Sequence, residues 1–165
     1  MARCAVCVLA IIISLSGCSS SNKTLNQPKI NIAIMDFEAR TGVQAGEAQS
    51  VGDLFASLLQ QTGRFNVVDR KQVKTMMEEQ GFQASQEGDA SKTGKVLAVR
   101  KMVFGSLGKL SKDVFVLSVK LTDVESSSID LAITRNYDDD LEDIGDKFLP
   151  GIVKEILRSI DGKSK

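Results

Sequence analysis

Ile30-Asn31-Ile32-Ala33-Ile34-Met35-Asp36-Phe37 is the stretch that decides how this 165-residue chain folds. Six of its eight residues are apolar, so an extended segment here would be apolar on both faces. Such a strand belongs inside a parallel or mixed sheet with helices packed against it. Downstream, residues 38–46 hold Thr41, Gly42 and Gly46 and read as a loop. Ala48, Val51, Leu54, Phe55, Leu58 and Leu59 then recur at helical spacing, and Gly63 stands where a helix C-cap belongs. Phe65–Val68 reads as a second strand, which completes a βαβ unit.

The pattern continues past this unit. Asp69 with Gln72 is a capping-box variant opening a helix, with Val73, Met76 and Met77 on its apolar stripe and Gly81 as its stop. Residues 82–88 read as a surface loop, and Asp89 can cap a further helix through Ala98. Residues 102–107 form a strand in which Gly105 allows a close approach or a bulge. Phe115, Leu117, Val119 and Leu121 alternate with Val116, Ser118, Lys120 and Thr122, and Ile129, Leu131 and Ile133 alternate with Asp130, Ala132 and Thr134. These are two half-buried strands of an antiparallel hairpin turning at 125–127. Leu141, Ile144, Phe148, Ile152, Ile156 and Ile160 share one helical face, which Pro150 and Gly151 should kink or split. The expected fold class is α/β: a single three-layer-like domain with a mixed five-stranded sheet and about four helices.

Upstream of the first strand, residues 1–17 carry one charge, at Arg3, then an apolar run over 5–13 and small residues. That run is shorter than the ~20 residues of a spanning helix, and its layout is that of a cleaved signal peptide. Leu15-Ser16-Gly17-Cys18 resembles the bacterial lipobox, in which the Cys is diacylated and becomes the new N-terminus. Cys4 and Cys7 would leave with the signal, so no thiol remains for a disulfide. Two acyl chains give stable anchoring where one would be marginal. Ser19 stands where inner-membrane retention usually places Asp, which favours the outer membrane. Residues 18–29 are then a lipidated Cys and a flexible tether, 30–161 the domain, and 162–165 a polar tail.

Composition excludes other classes. Lys and Arg number 21 against 21 Asp and Glu, so no basic stripe marks a nucleic-acid binder. Without any His the chain can form neither a Ser-His-Asp nor a Cys-His pair. Residues 88–96 (GDASKTGKV) evoke a P-loop, but five residues separate the glycines where the motif has four, and Val96 replaces its Ser or Thr. Lys92-Thr93-Gly94 and Ser20-Ser21-Asn22-Lys23 match fragments of serine β-lactamase motifs, without the Ser-Asp-Asn that completes them. Asp138, Asp140 and Glu142 are weak metal candidates, because a calcium loop starting at Asp138 would need Gly at position six and Glu at twelve; Asp143 and Leu149 stand there. Acids at a helix start, capping it and complementing its dipole, account for this run more simply. The phenylalanines, with Met76 and Met77, read as core, and 5% aromatic residues favour no sugar platform. No catalytic residue, metal or cofactor is expected, and the chain reads as a non-enzyme.

Several segments together resemble the CsgG-like family of bacterial outer-membrane lipoproteins, from about Ile32 to the final helix. They are Ile32-Ala33-Ile34-Met35-Asp36-Phe37, Gly63-Arg64-Phe65-Asn66-Val67-Val68-Asp69-Arg70, Met76-Met77-Glu78-Glu79-Gln80, Val103-Phe104-Gly105-Ser106-Leu107 and Leu121-Thr122-Asp123-Val124-Glu125, in that order behind a lipobox. The resemblance implies an outer-membrane, lipid-anchored domain facing the periplasm, with a protein partner there and no nucleic acid, acting in assembly or export of cell-surface material. Two alternatives share this domain type: a lipoprotein activator of peptidoglycan synthesis, and a homo-oligomeric subunit of a secretion channel. The curli channel of this family spans the membrane with two long hairpins, whereas the later part of this chain has room for one ordinary hairpin. Lys120, Asp123 and Asp130 suit periplasmic strands.

Overall fold

The computed structural model of the chain describes residues 28–68, 75, 95 and 98–162. The expected signal peptide, lipobox and most of the tether lie outside the described residues, as does most of 69–97, with the P-loop-like and β-lactamase-like fragments. Thr75 and Lys95, which fall in the two helices expected there, are both helical.

The elements run β1 (Ile30–Ile34), β2 (Glu38–Ala39), α1 (Ala45–Gln61), β3 (Phe65–Val68), β4 (Lys101–Ser111), β5 (Val114–Asp123) and β6 (Ile129–Tyr137). A 3-10 turn (Leu141–Asp143), α2 (Ile144–Lys147) and α3 (Leu149–Gly162) follow. They form one mixed α/β domain around a six-stranded sheet of order β3-β1-β4-β5-β6, with β2 alongside β4. β1 pairs parallel with both β3 and β4, while β4, β5 and β6 form an antiparallel meander.

The sixth strand, β2, lies in what reads from sequence as a loop. Ile34 pairs with Val103 and Glu38 with Ser106, so the chain advances four residues against three and carries one extra residue at 35–37. This bulge reverses the alternation of faces. Ile32 and Ile34 point into the main core and Ala33 and Met35 into the smaller cluster on the other face, yet Phe37 returns to the main core. The apolar run around Asp36 is thus two in-phase segments joined by a frame shift. Gly105 makes the shift feasible, since a Cβ there would lie 2.4 Å from the Phe37 ring. The glycine admits a ring and not a backbone, and the irregularity of β4 sits further on, between Lys109 and Ser111.

Helices α1 and α3 cover the main-core face. Ala48, Val51, Phe55 and Leu59 of α1 pack with Ile152, Val153 and Ile156 of α3 over Val103, Leu107, Leu117, Val119, Leu121 and Ile133. Gln44 precedes α1, and its N–H donates to the Glu47 carboxylate at 2.7 Å. Gly63 follows α1 at φ +70, a conformation glycine adopts freely. The final apolar stripe is split as expected: the helix breaks at Phe148, and Pro150 sits in the first turn of α3, where its missing N–H costs little.

Two corrections concern the later strands. β4 extends to Ser111 and turns back into β5 at 112–113, so the meander contains two hairpins and not one. A second irregularity, between Leu121 and Thr122 opposite 129–131, turns Ile129 outward to 56% exposure, whereas Leu131 and Ile133 keep their inward phase.

Candidate interaction surfaces

The bulge in β6 brings Asp130 to a buried ammonium. Lys101, at the start of β4, donates to Asp123 at 2.7 Å and also to Asp130, and all three side chains are nearly buried. Burial alone would raise the Asp123 carboxyl. The hydrogen bonds from Lys101 and from the N–H and hydroxyl of Ser126 outweigh it and hold that carboxyl well below the usual carboxylate range. This triad ties the ends of three strands and shapes the β5–β6 turn, where Ser127 adopts φ +56. Its groups are committed to one another, so its role is structural.

The acidic run after β6 divides in two. Lys147 bridges Asp139 at 2.6 Å and Asp143 at 2.7 Å. The hydrogen bond from Lys147 and that from the Asp140 N–H hold the Asp139 carboxyl low, and the two carboxylates push the Lys147 ammonium up. Neither Asp140 nor Asp143 caps a helix through its side chain, so ion pairing takes much of the part expected of capping. Glu142 and Asp143 still lie in the first turn, where their charge complements the dipole. Of the sequence-level metal candidates, Asp140 and Glu142 line an open groove of about 570 Å3 with Glu47, Val51 and Leu54, and Asp138 lies outside its lining. Among the described residues no three His, Cys, Asp or Glu side chains converge to hold a metal.

A second cleft, of about 250 Å3, opens on the sheet face opposite α1 and α3, beside the β1–β2 bulge. Register places Ser106, Ser118 and Thr134 side by side across β4, β5 and β6, and the Ser118 and Thr134 hydroxyls lie 3.1 Å apart. Phe104, Lys120 and Ala132 form the adjacent row, with Asp36, Glu38 and Arg40 on the rim. From sequence these positions read only as the polar phase of two strands. The signal that could have found them is the recurrence of a hydroxyl at the same phase in all three.

The sequence model for the family described as curli production assembly/transport component CsgG matches residues 16–115. This chain belongs to the CsgG family. The match begins earlier than the segment resemblance, at Ser16, and ends at Phe115, so Leu121-Thr122-Asp123-Val124-Glu125 and α3 lie beyond it. No curated protein matches the sequence. The fold is similar to the LpoB C-terminal domain from Salmonella enterica, at 14% identity and a TM-score of 0.55, over 68% of this chain and 86% of that one. A lipoprotein from Neisseria meningitidis is similar at 9% identity and a TM-score of 0.58, over 82% and 99%. So is PelC from Paraburkholderia phytofirmans, a dodecamer, at 12% identity and a TM-score of 0.53, over 80% and 88%. At these identities the likeness is one of fold.

β4, β5 and β6 have 11, 10 and 9 residues, lengths that could cross a bilayer. Their faces do not suit lipid: one is packed under α1 and α3, and the other carries Ser106, Ser118, Lys120 and Thr134. Among the described residues no helix is long and apolar enough to cross a membrane.

Proposed function

We propose that this CsgG-family chain is a lipoprotein anchored to the outer membrane through Cys18, with its domain in the periplasm, acting without catalysis through protein contacts in assembly or export of cell-surface material. The observation that carries this reading is the family match starting at Ser16, so that Cys18, the tether and the first half of the domain fall in one matched segment. The mechanism is tethering. Residues 19–29 span at most ~35–40 Å when extended, which confines the domain to a thin shell at the membrane and raises its effective concentration for a partner there. Acyl labelling with fractionation tests it: wild type is labelled and sediments with outer membrane, and Cys18→Ser is neither. A wild-type protein found unlabelled and soluble in the periplasm overturns the reading.

Two alternatives keep separate tests. A regulator of peptidoglycan synthesis must reach an enzyme at the other membrane, so shortening the tether would abolish function; a local partner tolerates lengthening. The domain shares its fold with a PelC dodecamer, and a channel subunit would give a ring on detergent extraction. A monomer by native mass measurement counts against that.

A further inference from the structure

We infer that the cleft beside the β1–β2 bulge is a binding site for a neutral saccharide unit of a longer glycan. The deciding feature is Ser106. Its side chain lines the cleft, the residue is only 6% exposed, and its hydroxyl has no hydrogen-bond partner among the described residues. Buried hydroxyls in folded proteins are nearly always paired, and an exception calls for an explanation. Local rules are commonly broken at functional sites. A ligand hydroxyl or ring oxygen at the cleft floor would complete Ser106.

The charged groups around it are already engaged. Arg40 lies 3.6 Å from Glu38, and Asp36 and Lys120 have interactions of their own. What stays available is the row of hydroxyls: Ser106, with the remaining capacity of Ser118 and Thr134, each of which can both donate and accept. That set matches a polyol better than an ion. Phe104, half-buried on the same face, offers an apolar surface for the C–H side of a ring, and one aromatic residue suffices for a cleft of about 250 Å3. This is below the ~300–1,000 Å3 typical of sites for drug-sized molecules, so it holds one unit. Its lining runs from β2 over β4 and β5 to β6, so the rest of a chain can continue across the meander. A peptide lying on this face would find side-chain hydroxyls, while the backbone groups of β4 and β5 beneath it are already paired with neighbouring strands and cannot satisfy its amides.

The inference gives the export reading a ligand, and its test on purified protein is independent of the anchor. The full chain in detergent is applied to an array of neutral and charged bacterial oligosaccharides, and the best neutral oligomer is titrated against its monosaccharide. Retention of neutral oligomers is expected, at least tenfold tighter than the monosaccharide. Ser106→Ala should weaken binding at least tenfold while leaving the melting temperature unchanged or higher, because no hydrogen bond to a described residue is lost. Ile129→Thr, on the same sheet face but outside the cleft lining, should change neither. Retention of charged glycans only, equal affinity for the monosaccharide, no retention at all, or a Ser106→Ala variant that melts lower and binds normally would each overturn the proposal.

Discussion

The Phe37 ring occupies the space in which a Cβ on Gly105 would lie, at 2.4 Å from its nearest carbons. Phe37 is also packed on Phe55, with ring centroids 5.8 Å apart, so it cannot swing aside without opening the α1 contact. Gly105→Ala should therefore destabilise the domain by about 1–3 kcal/mol, the usual range for an overpacked core. Urea unfolding measures this, and Phe37→Leu in the same chain should recover part of the loss. Additive losses would show that the two residues do not share one space.

Removing Lys101 leaves Asp123 and Asp130 facing each other with little solvent. Lys101→Met should cost about 3–5 kcal/mol, as when one partner of a buried ion pair is deleted. Adding Asp123→Asn and Asp130→Asn should restore most of it, measured as the urea midpoint at neutral pH.

The depressed Asp123 carboxyl carries a pH signature. A group whose folded pKa lies below its unfolded value stabilises the fold at pH values above the unfolded one, about 3.9 for Asp. That contribution is lost as pH falls from there toward the folded value. Wild-type stability should drop across pH 4 to 2 more steeply than that of Asp123→Asn, and equal slopes would remove Asp123 from the acid response.

Two isoleucines of one strand should differ sharply. Ile133 is 4% exposed and Ile129 is 56% exposed. Ile133→Ala is expected to cost about 2–5 kcal/mol, whereas Ile129→Ala should stay within about 0.5 kcal/mol. Thermal melts of the two variants suffice.

The division of the acidic run predicts indifference to calcium. Lys147 holds Asp139 and Asp143, while Asp140 and Glu142 open onto the groove without a third converging ligand among the described residues. Millimolar calcium should leave the melting temperature of the wild type unchanged, and a clear upward shift would contradict this arrangement.

Periodicity made most of the architecture legible. The buried first strand, the α1 stripe, the β5 alternation and the Pro150 break follow from local apolar spacing and turn chemistry, which act within a few residues. The misses are non-local. The frame shift at 35–37 depends on Gly105 in another strand, and the outward turn of Ile129 on a register change against β5. The Lys101 triad joins residues 22 and 29 positions apart, which no window of sequence displays. The hydroxyl row likewise exists only once three strands are in register.

The N–H of Ile30 bonds the carbonyl of Arg64 at 3.0 Å, and Arg64 holds Asp161 at 2.7 Å, so the lead-in peptide and the end of α3 leave the domain side by side. β4 runs parallel to β1, which puts the exposed turn at 112–113 at the far pole. A reporter appended after Lys165 would therefore crowd whatever surface holds the lead-in peptide. One inserted between Lys112 and Asp113 would stand clear of it, and labels at those two places can serve as near and far markers of how the domain is oriented in the cell.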